Sequence, residues 1–371
     1  MKRISRLYAV VCIAAMIPQL SAIAQTAEDI KGKYPGQEAV LFNISVHYKI
    51  TVKDGEPYVE SKENDQLLYL SQNAASYMGK YGFIHSSFHE VKEYEAFTRT
   101  TSNKKIKVEN FKTNDRQSGS VFYDDTKETS FDFPGIGAGA VGVLNKRVVH
   151  KKAYLLSPHY FGANVPVVNN ELQLTFPRDM SVKYLLKGMN TEKILFSEEK
   201  KGNEITYKFQ VKDSEPLLNY PDAPDGAYYI PHVVFYIEKY KNEKGIEVSY
   251  LSDTNDLYKL NSSFVKDVNQ EAGAELKRLV DSLTKGLSTM EEKARNIYQW
   301  VQGHIKYVAF EHGMEGFIPR DANLVCSRRY GDCKDMSSIL TMMLKQAGVP
   351  AYYTWIGTRN IPYSYRETPL P

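Results

Sequence analysis

The residues best suited to covalent chemistry lie in the stretch RRYGDCKDMSSILTMML, residues 328–344, which holds one cysteine, Cys333. Asp332 and Asp335 flank it with the residue types and spacing of a helix N-cap and its partner three positions later. Cys333 is therefore predicted at the first helical position, where unsatisfied backbone N–H groups and the helix dipole favour a thiolate. This makes Cys333 a candidate nucleophile. Cys333 precedes Met336 by three residues and is therefore predicted on the same inward face of the helix. The alternative to a nucleophile is a small buried core thiol, because free cysteine is often buried.

Three helices are predicted by apolar residues at spacings of three and four. The stripe of the first is Ala272, Leu276, Leu279, Val280, Leu283 and Leu287. A capping box at Ser288 and Glu291 predicts the start of the second, whose stripe is Ala294, Ile297, Tyr298, Val301 and Ile305. The third is the helix of Cys333, which is predicted to end at Gly348 before Pro350. The stretch AFEHGMEGFIPRDANLVCSRRYG is predicted as a loop, and AYYTWIG as a strand.

Residues 39–260 show the alternation of β-strands. One strand is predicted to place a row of side chains on one face and to be followed by a turn at Asp54-Gly55: Phe42, Ile44, Val46, Tyr48, Ile50 and Val52. LQLTF is a strand that Pro177 ends, and KILFSEEKKGNEITYKFQV is a hairpin that turns near Gly202-Asn203. HVVFYIEKY and IEVSYLS add two more strands. Many short strands with turn signals predict an antiparallel, β-sandwich-like domain.

The first 24 residues have the features of an export signal. Lys2, Arg3 and Arg6 precede an apolar stretch at 7–17, and Ala22-Ile23-Ala24 fits a cleavage site. The apolar stretch is too short to span a bilayer. We therefore expect cleavage after Ala24 and an exported, periplasmic protein with no membrane anchor.

The chain has 371 residues, with 47 basic and 44 acidic ones, and the leader accounts for the whole excess of positive charge. A neutral mature chain offers no basic face, so nucleic acid is not an expected partner. The length predicts more than one domain. We expect a signal peptide at 1–24, a β-rich domain at 25–262 and a second domain at 263–371.

Other combinations of reactive residues have weaker support. His304, His312, Cys326 and Cys333 have the types of zinc ligands but lack the tight spacing of structural sites. A disulfide between the two cysteines would suit an oxidising compartment, although two separate thiols are favoured. The sequence GAGAVG at 137–142 matches a nucleotide-binding string, but neither a helix nor a suitably placed acid follows it, which indicates a turn or bulge. We expect no metal and no cofactor.

The stretch YGDCKDMSSILTMMLKQAGVPAYYTWIGTR resembles the nucleophile region of bacterial transglutaminase-like domains, which are papain-like cysteine enzymes. EKARNIYQWVQGHIKYV and IPRDANLVCSRRYGDCKD resemble the helix and loop before it. FDFPGIGAGAVG and VPVVNNELQLTFPRDMSVKY resemble the β-rich domain of unknown function that precedes such domains in exported bacterial proteins. The resemblance implies a multidomain fold, in which an antiparallel β-sandwich-like domain precedes a partial α+β transglutaminase-like domain.

In that family a cysteine attacks a carbonyl carbon, a histidine transfers the proton and an aspartate orients the histidine, in the chain order Cys, His, Asp. Only Cys333 can be carried over as catalytic, because no histidine follows it and the acids after it are Asp335 and Glu367. The resemblance therefore implies a chain truncated before the catalytic His and Asp, with little turnover. His304 and His312 precede Cys333 and are each interpreted as a solvated or capping histidine.

The resemblance implies an exported cysteine enzyme that acts on peptide, isopeptide or glutamine-type amides of a peptide or protein substrate. Hydrolysis is favoured over transamidation on the analogy alone. The β-rich domain could also bind a polypeptide or a glycan. The alternative is a non-catalytic envelope binding or scaffold protein with a degenerate transglutaminase-like segment.

Overall fold

A computed structural model describes residues 27–74, 78–116, 122–218 and 220–371. The predicted signal peptide lies outside these residues. The strands are β1 Ala39–Lys53, β2 Glu56–Tyr69, β3 Lys80–His85, β4 His89–Arg99, β5 Lys105–Lys107, β6 Lys112–Asp115, β7 Tyr123–Asp124, β8 Lys127–Asp132, β9 Val141–His150, β10 His159–Tyr160, β11 Val167–Pro177, β12 Ser181–Lys187, β13 Leu195–Lys201, β14 Glu204–Ser214, β15 His232–Lys241, β16 Glu247–Ser249, β17 Lys306–Tyr307, β18 Phe310–Glu311 and β19 Tyr330–Gly331. The α-helices are α1 at 27–33, α2 Gly226–Tyr229, α3 Thr254–Val265, α4 Ala274–Thr284, α5 Met290–His304, α6 Ala322–Arg328 and α7 Cys333–Gln346. The molecule is therefore β-rich first and helical afterwards, as predicted.

The largest sheet has eight strands in the order β13-β14-β11-β1-β2-β9-β4-β5. β1 and β2 form the predicted hairpin, and its turn is tight because Asp54 and Gly55 both have positive φ. The predicted hairpin of β13 and β14 is confirmed as well. Within this sheet, one pairing departs from the antiparallel prediction, since β1 pairs with β11 in parallel. A parallel neighbour reached through a long connection leaves no local signal in the sequence.

Two smaller sheets pack against one face of the large sheet. Strands β10, β15, β12 and β16 enclose one core with the large sheet, and that core contains Leu172, Leu174, Phe209, Phe235 and Ile237. Strands β3, β8 and β6 enclose the second core, which contains Leu67, Phe83, Phe131, Phe133 and Leu144. The burial of these apolar faces stabilises the predicted sandwich.

The predicted face of β1 needs one correction. A bulge between Leu41 and Asn43 shifts the register, and Phe42 packs with Val40 and Leu68 beside Ile30 of α1 instead of with Ile44. A bulge adds one residue to a strand, so every side chain before it points to the opposite face.

Helices α4, α5, α6 and α7 share one core, which contains Leu276, Ile297, Val301, Val325, Ile339 and Met343. The predicted capping box of α5 is wrong by one residue, because Thr289 and Glu292 form it instead of Ser288 and Glu291. Residue 262, the predicted domain boundary, lies within α3, and the boundary stays a prediction. Among the described helices, none is long and apolar enough to cross a membrane.

Two predictions of local structure fail in this part of the chain. The predicted loop at 309–331 contains α6, which begins at the N-cap Asp321. Seven residues are too few to show a helical period, so only the cap could have indicated this helix. The predicted strand AYYTWIG is irregular, although its residues 351–356 alternate between half-buried and exposed as in a strand. Within the described residues it has no neighbouring strand to pair with, and pairing is what defines a strand.

Candidate functional site

Cys333 is the first residue of α7, and the predicted capping box around it is confirmed. The Asp332 carboxylate accepts hydrogen bonds from the backbone N–H groups of Lys334 at 3.1 Å and Asp335 at 3.3 Å. The Asp335 carboxylate accepts the N–H of Asp332 at 3.2 Å. These bonds fix the first turn of the helix and therefore the position of Cys333.

The thiol of Cys333 is exposed, whereas Cys326 is buried and both are free. The prediction that Cys333 shares the inward face of its helix is therefore wrong. Side chains tilt toward the N-terminus of a helix, so a residue at the first position projects beyond the helix end. The apolar face of α7 begins one turn later and contains Ile339 and Met343. Burial raises the pKa of the Cys326 thiol, which suits a core residue.

The loop before α6 is tied to α7 by Asp335. Its carboxylate accepts the backbone N–H of Arg320 at 2.8 Å and pairs with the Arg320 guanidinium at 2.5 Å. The hydroxyl of Ser338 donates to the Arg320 carbonyl at 2.8 Å. The Asn269 side chain donates to the Ser338 hydroxyl at 2.9 Å and accepts the N–H of Ala322 at 2.6 Å. Helix α7, which carries the thiol, is thus held by hydrogen bonds to Arg320 and to Asn269.

Tyr307 faces the thiol from β17, which pairs with β19 immediately before the nucleophile turn. The N–H of Val308 donates to the carbonyl of Gly331 at 3.0 Å, and this bond sets the register. Burial raises the pKa of Tyr307, and the neighbouring Cys333 and Asp332 raise it further. A hydroxyl in this position can donate a hydrogen bond to a thiolate or to an oxyanion formed beside it.

Tyr353 approaches the same site from the irregular segment after α7. Burial, together with the charges of Cys333, Asp332 and Asp335, raises its pKa to about 12. Sequence reasoning missed both tyrosines, since nothing in the spacing of Tyr307 and Tyr353 to Cys333 indicates that they meet it. The parallel pairing of β17 and β19 brings Tyr307 there.

Neither upstream histidine hydrogen-bonds to the thiol, and each has another partner. His304 stacks on Trp300 at 5.0 Å and its Nδ1 pairs with the Trp300 carbonyl at 2.9 Å. His312 stacks on Tyr123 at 6.0 Å. Within residues 27–74, 78–116, 122–218 and 220–371, no histidine hydrogen-bonds to Cys333, and no group of three His, Cys, Asp or Glu residues is arranged for a metal ion. A catalytic role for either histidine thus has no geometric support, whereas Cys333 is accessible.

Two family models match separate parts of the chain. Residues 277–360 match the core of the transglutaminase-like superfamily. Residues 59–217 match the domain of unknown function DUF3857. No curated protein sequence matches the chain.

Among solved structures, a "putative protease" from Parabacteroides distasonis is similar, with a TM-score of 0.64 and 18% sequence identity. The match covers 84% of this chain and 59% of that one, so this chain spans about three fifths of its length. The M1 zinc metallopeptidase of Deinococcus radiodurans has a TM-score of 0.29 and 10% identity, over 54% of this chain and 43% of that one. Yeast LTA4 hydrolase, in complex with bestatin, has a TM-score of 0.29 and 10% identity, over 55% and 32%. The first similarity shows a shared architecture, and the other two are too weak to carry an argument. The chain therefore joins a domain of the DUF3857 family to a core of the transglutaminase-like superfamily.

Proposed function

We propose that the protein is a cysteine peptidase or amidase whose nucleophile is Cys333. The observation that carries the proposal is the exposed thiol at the first position of α7, which the Tyr307 hydroxyl faces. The transglutaminase-like match includes this residue. The name of the Parabacteroides structure supports peptide-bond chemistry in a protein of the same architecture.

In the proposed reaction the sulfur attacks the carbonyl carbon of a peptide, isopeptide or glutamine-type amide. The carbon–sulfur bond forms, the carbon–nitrogen bond breaks, and the proton of the thiol ends on the leaving amine or ammonia. Water then hydrolyses the thioester, which yields a carboxylic acid and regenerates the thiol. Hydrolysis, rather than transfer to a second amine, rests on the family analogy.

The first turn of α7 offers a donor for the oxyanion of this reaction. The capping box occupies the N–H groups of Asp332, Lys334 and Asp335. The N–H of Cys333 has no acceptor among the described residues. This N–H and the Tyr307 hydroxyl are the proposed pair of donors, since both lie beside the attacking sulfur.

The proposal includes slow turnover by the 371-residue chain. No histidine of the described residues contacts Cys333, so the thiol has no general base there. Removal of a base from such a site typically costs a factor of about a thousand or more. We also propose export to the bacterial envelope, from the composition of residues 1–24. The expected substrate is a polypeptide, and a polypeptide or glycan ligand of the β-rich domain remains part of the proposal.

The experiment uses the chain from residue 25 onward, with Cys326→Ser and Cys333→Ser variants. Iodoacetamide at pH 7 should label Cys333 in the folded protein, and Cys326 only after denaturation. A glutamine-containing acyl-donor peptide should then add one acyl group to Cys333, with release of one equivalent of ammonia, as measured by intact mass and an ammonia assay. The Cys333→Ser variant should give neither product. If the folded protein labels at Cys333 no faster than a small-molecule thiol and forms no thioester, the proposal fails and a binding protein becomes the better explanation.

A further inference from the structure

The N-terminal domain adds a strand beside the candidate active site. β7 of that domain pairs in parallel with β18 of the core, with Tyr123 opposite Phe310 and Asp124 opposite Glu311. The backbone N–H groups of Phe122 and Tyr123 donate to the Ala309 carbonyl at 3.0 Å and 3.3 Å. These are backbone bonds between the two family-matched parts of the chain, so they hold the two parts in register.

The base of this strand is fixed to both domains. The Asp125 carboxylate accepts the N–H of Ser87 at 2.9 Å, and the ring of Tyr123 stacks on that of His312 in the core at 6.0 Å. The Asp124 carboxylate accepts the N–H of Thr126 at 2.7 Å. The residues just before these anchors therefore have a defined position relative to the core.

An aromatic row leads from β7 toward the nucleophile turn. The ring of Phe122 lies 5.2 Å from that of Phe310, and the ring of Phe310 lies 6.2 Å from that of Tyr330. Tyr330 is three residues before Cys333. The Arg320 guanidinium lies 5.3 Å from the centre of the Phe310 ring and pairs with Asp335 in the first turn of α7.

The exposure of this row separates a binding role from a packing role. Phe122 is 74% exposed, and Phe310 and Tyr330 are half-buried. A phenylalanine that served only to join the domains would be buried between them, because its burial is what would stabilise the contact. Tyr307, which faces the thiol, is also 55% exposed. Exposed aromatic rings that cluster beside a reactive group typically mark a binding surface.

We infer that Phe122, Phe310 and Tyr330 form a substrate subsite that takes an aromatic or large apolar side chain of a polypeptide, next to the amide presented to Cys333. The inference rests on the proposed function, because the occupant is the substrate of that site. The ring faces attract apolar and aromatic groups. Arg320 lies close to the ring of Phe310, so a cationic substrate side chain is disfavoured there. The N-terminal domain thereby contributes, through Phe122, to the substrate specificity of the core.

The test compares two peptidyl chloromethyl ketones that differ in the residue beside the reactive group, phenylalanine or glycine. Iodoacetamide serves as a third reagent that is too small to use the subsite. In the unsubstituted protein the phenylalanine reagent should label Cys333 about tenfold faster than the glycine reagent, or more. In Phe122→Ala the two rates should approach each other, while the iodoacetamide rate and the melting temperature stay unchanged. Tyr258→Ala, at a residue 70% exposed on α3, is the matched control and should keep the full preference.

Equal rates for the two peptidyl reagents in the unsubstituted protein would overturn the subsite. So would a preference that survives in Phe122→Ala. In both cases normal iodoacetamide labelling would leave the proposed function standing. If none of the three reagents labels Cys333 in the unsubstituted protein, Cys333 is not a reactive nucleophile, and both proposals fail.

Discussion

The carboxylate of Asp335 receives both the backbone N–H of Arg320, at 2.8 Å, and its guanidinium, at 2.5 Å. Asp335 has no exposed surface, and the Arg320 side chain is 18% exposed. The same carboxylate completes the capping box at Asp332. One buried charge therefore connects the loop at 320 to the turn that holds Cys333.

Replacement of Asp335 by Ala should lower the free energy of unfolding by about 3–5 kcal/mol, because it leaves Arg320 without its buried partner. Asp335→Asn keeps one acceptor oxygen and should cost less. Urea unfolding measures both losses. Glu315→Gln is the control, since Glu315 is an exposed partner of the same guanidinium at 3.3 Å and should change stability by less than about 1 kcal/mol. An Asp335→Ala loss no larger than that of the control would contradict this role.

Tyr307→Phe should slow the alkylation of Cys333 at pH 7 by about tenfold, because a hydroxyl beside the sulfur can donate to the thiolate and a hydrogen bond to a charged group contributes about 1.5–3 kcal/mol. The fold and the melting temperature should change little, since the Tyr307 ring is 55% exposed. Tyr353→Phe is the matched control. Burial is the main cause of the raised pKa of Tyr353, and Cys333 acts on it through its charge. The alkylation rate of Cys333 in Tyr353→Phe should therefore stay within about twofold of the rate in the unsubstituted protein. Equal effects of the two substitutions would show that the Tyr307 hydroxyl has no special role.

His150 should make the N-terminal domain sensitive to acid. Its ring is 7% exposed, its Nε2 pairs with the Ser61 hydroxyl at 2.9 Å, and its Nδ1 has no partner among the described residues. Burial, together with the charge of His89, lowers the pKa of His150 to about 4, and Glu63 opposes the shift. The unfolded chain binds the proton near pH 6.5 and the folded chain only near pH 4. Stability should therefore be lost as the pH falls from about 6.5 to about 4, by about 3 kcal/mol.

Urea unfolding at several pH values between 7 and 4 measures this loss. His150→Gln keeps a polar partner for Ser61 and does not titrate, so its stability should fall less over the same range. Burial also lowers the pKa of His89 and of His159, so part of the acid sensitivity should remain. His304→Gln, at an exposed residue, should follow the unsubstituted protein. An unchanged slope in His150→Gln would assign the acid sensitivity to other groups.

The sequence predicts the elements of this fold wherever the signal is local. Asp332 and Asp335 predict the start of α7, because a capping box is formed within four consecutive residues. Asp54-Gly55 announces the first hairpin for the same reason. Neither the parallel pairing of β1 with β11 nor the bulge beside Phe42 has such a signal. The pairing and the bulge both depend on how segments that are distant in the sequence pack against each other.

The candidate site likewise has one part that the local sequence predicts and another part that it does not. Cys333 is identified from its position at a helix start, but its exposure depends on what lies beyond the helix end. Tyr307 and Phe122 reach the site only through the pairing of β17 with β19 and of β7 with β18. These strands are two residues long, so no periodicity in the sequence marks them. Their partners are known only once the chain is folded.

The pairing of β7 with β18 also sets an order of events during synthesis. A ribosome releases Tyr123 and Asp124 long before Phe310 and Glu311, and domains generally fold as they emerge. The backbone groups of β7 then stay unpaired until the core segment has been synthesised. An unpaired strand edge promotes aggregation. Nascent chains that stall before residue 310 should therefore be the most vulnerable to aggregation, and completion of the core removes that exposure.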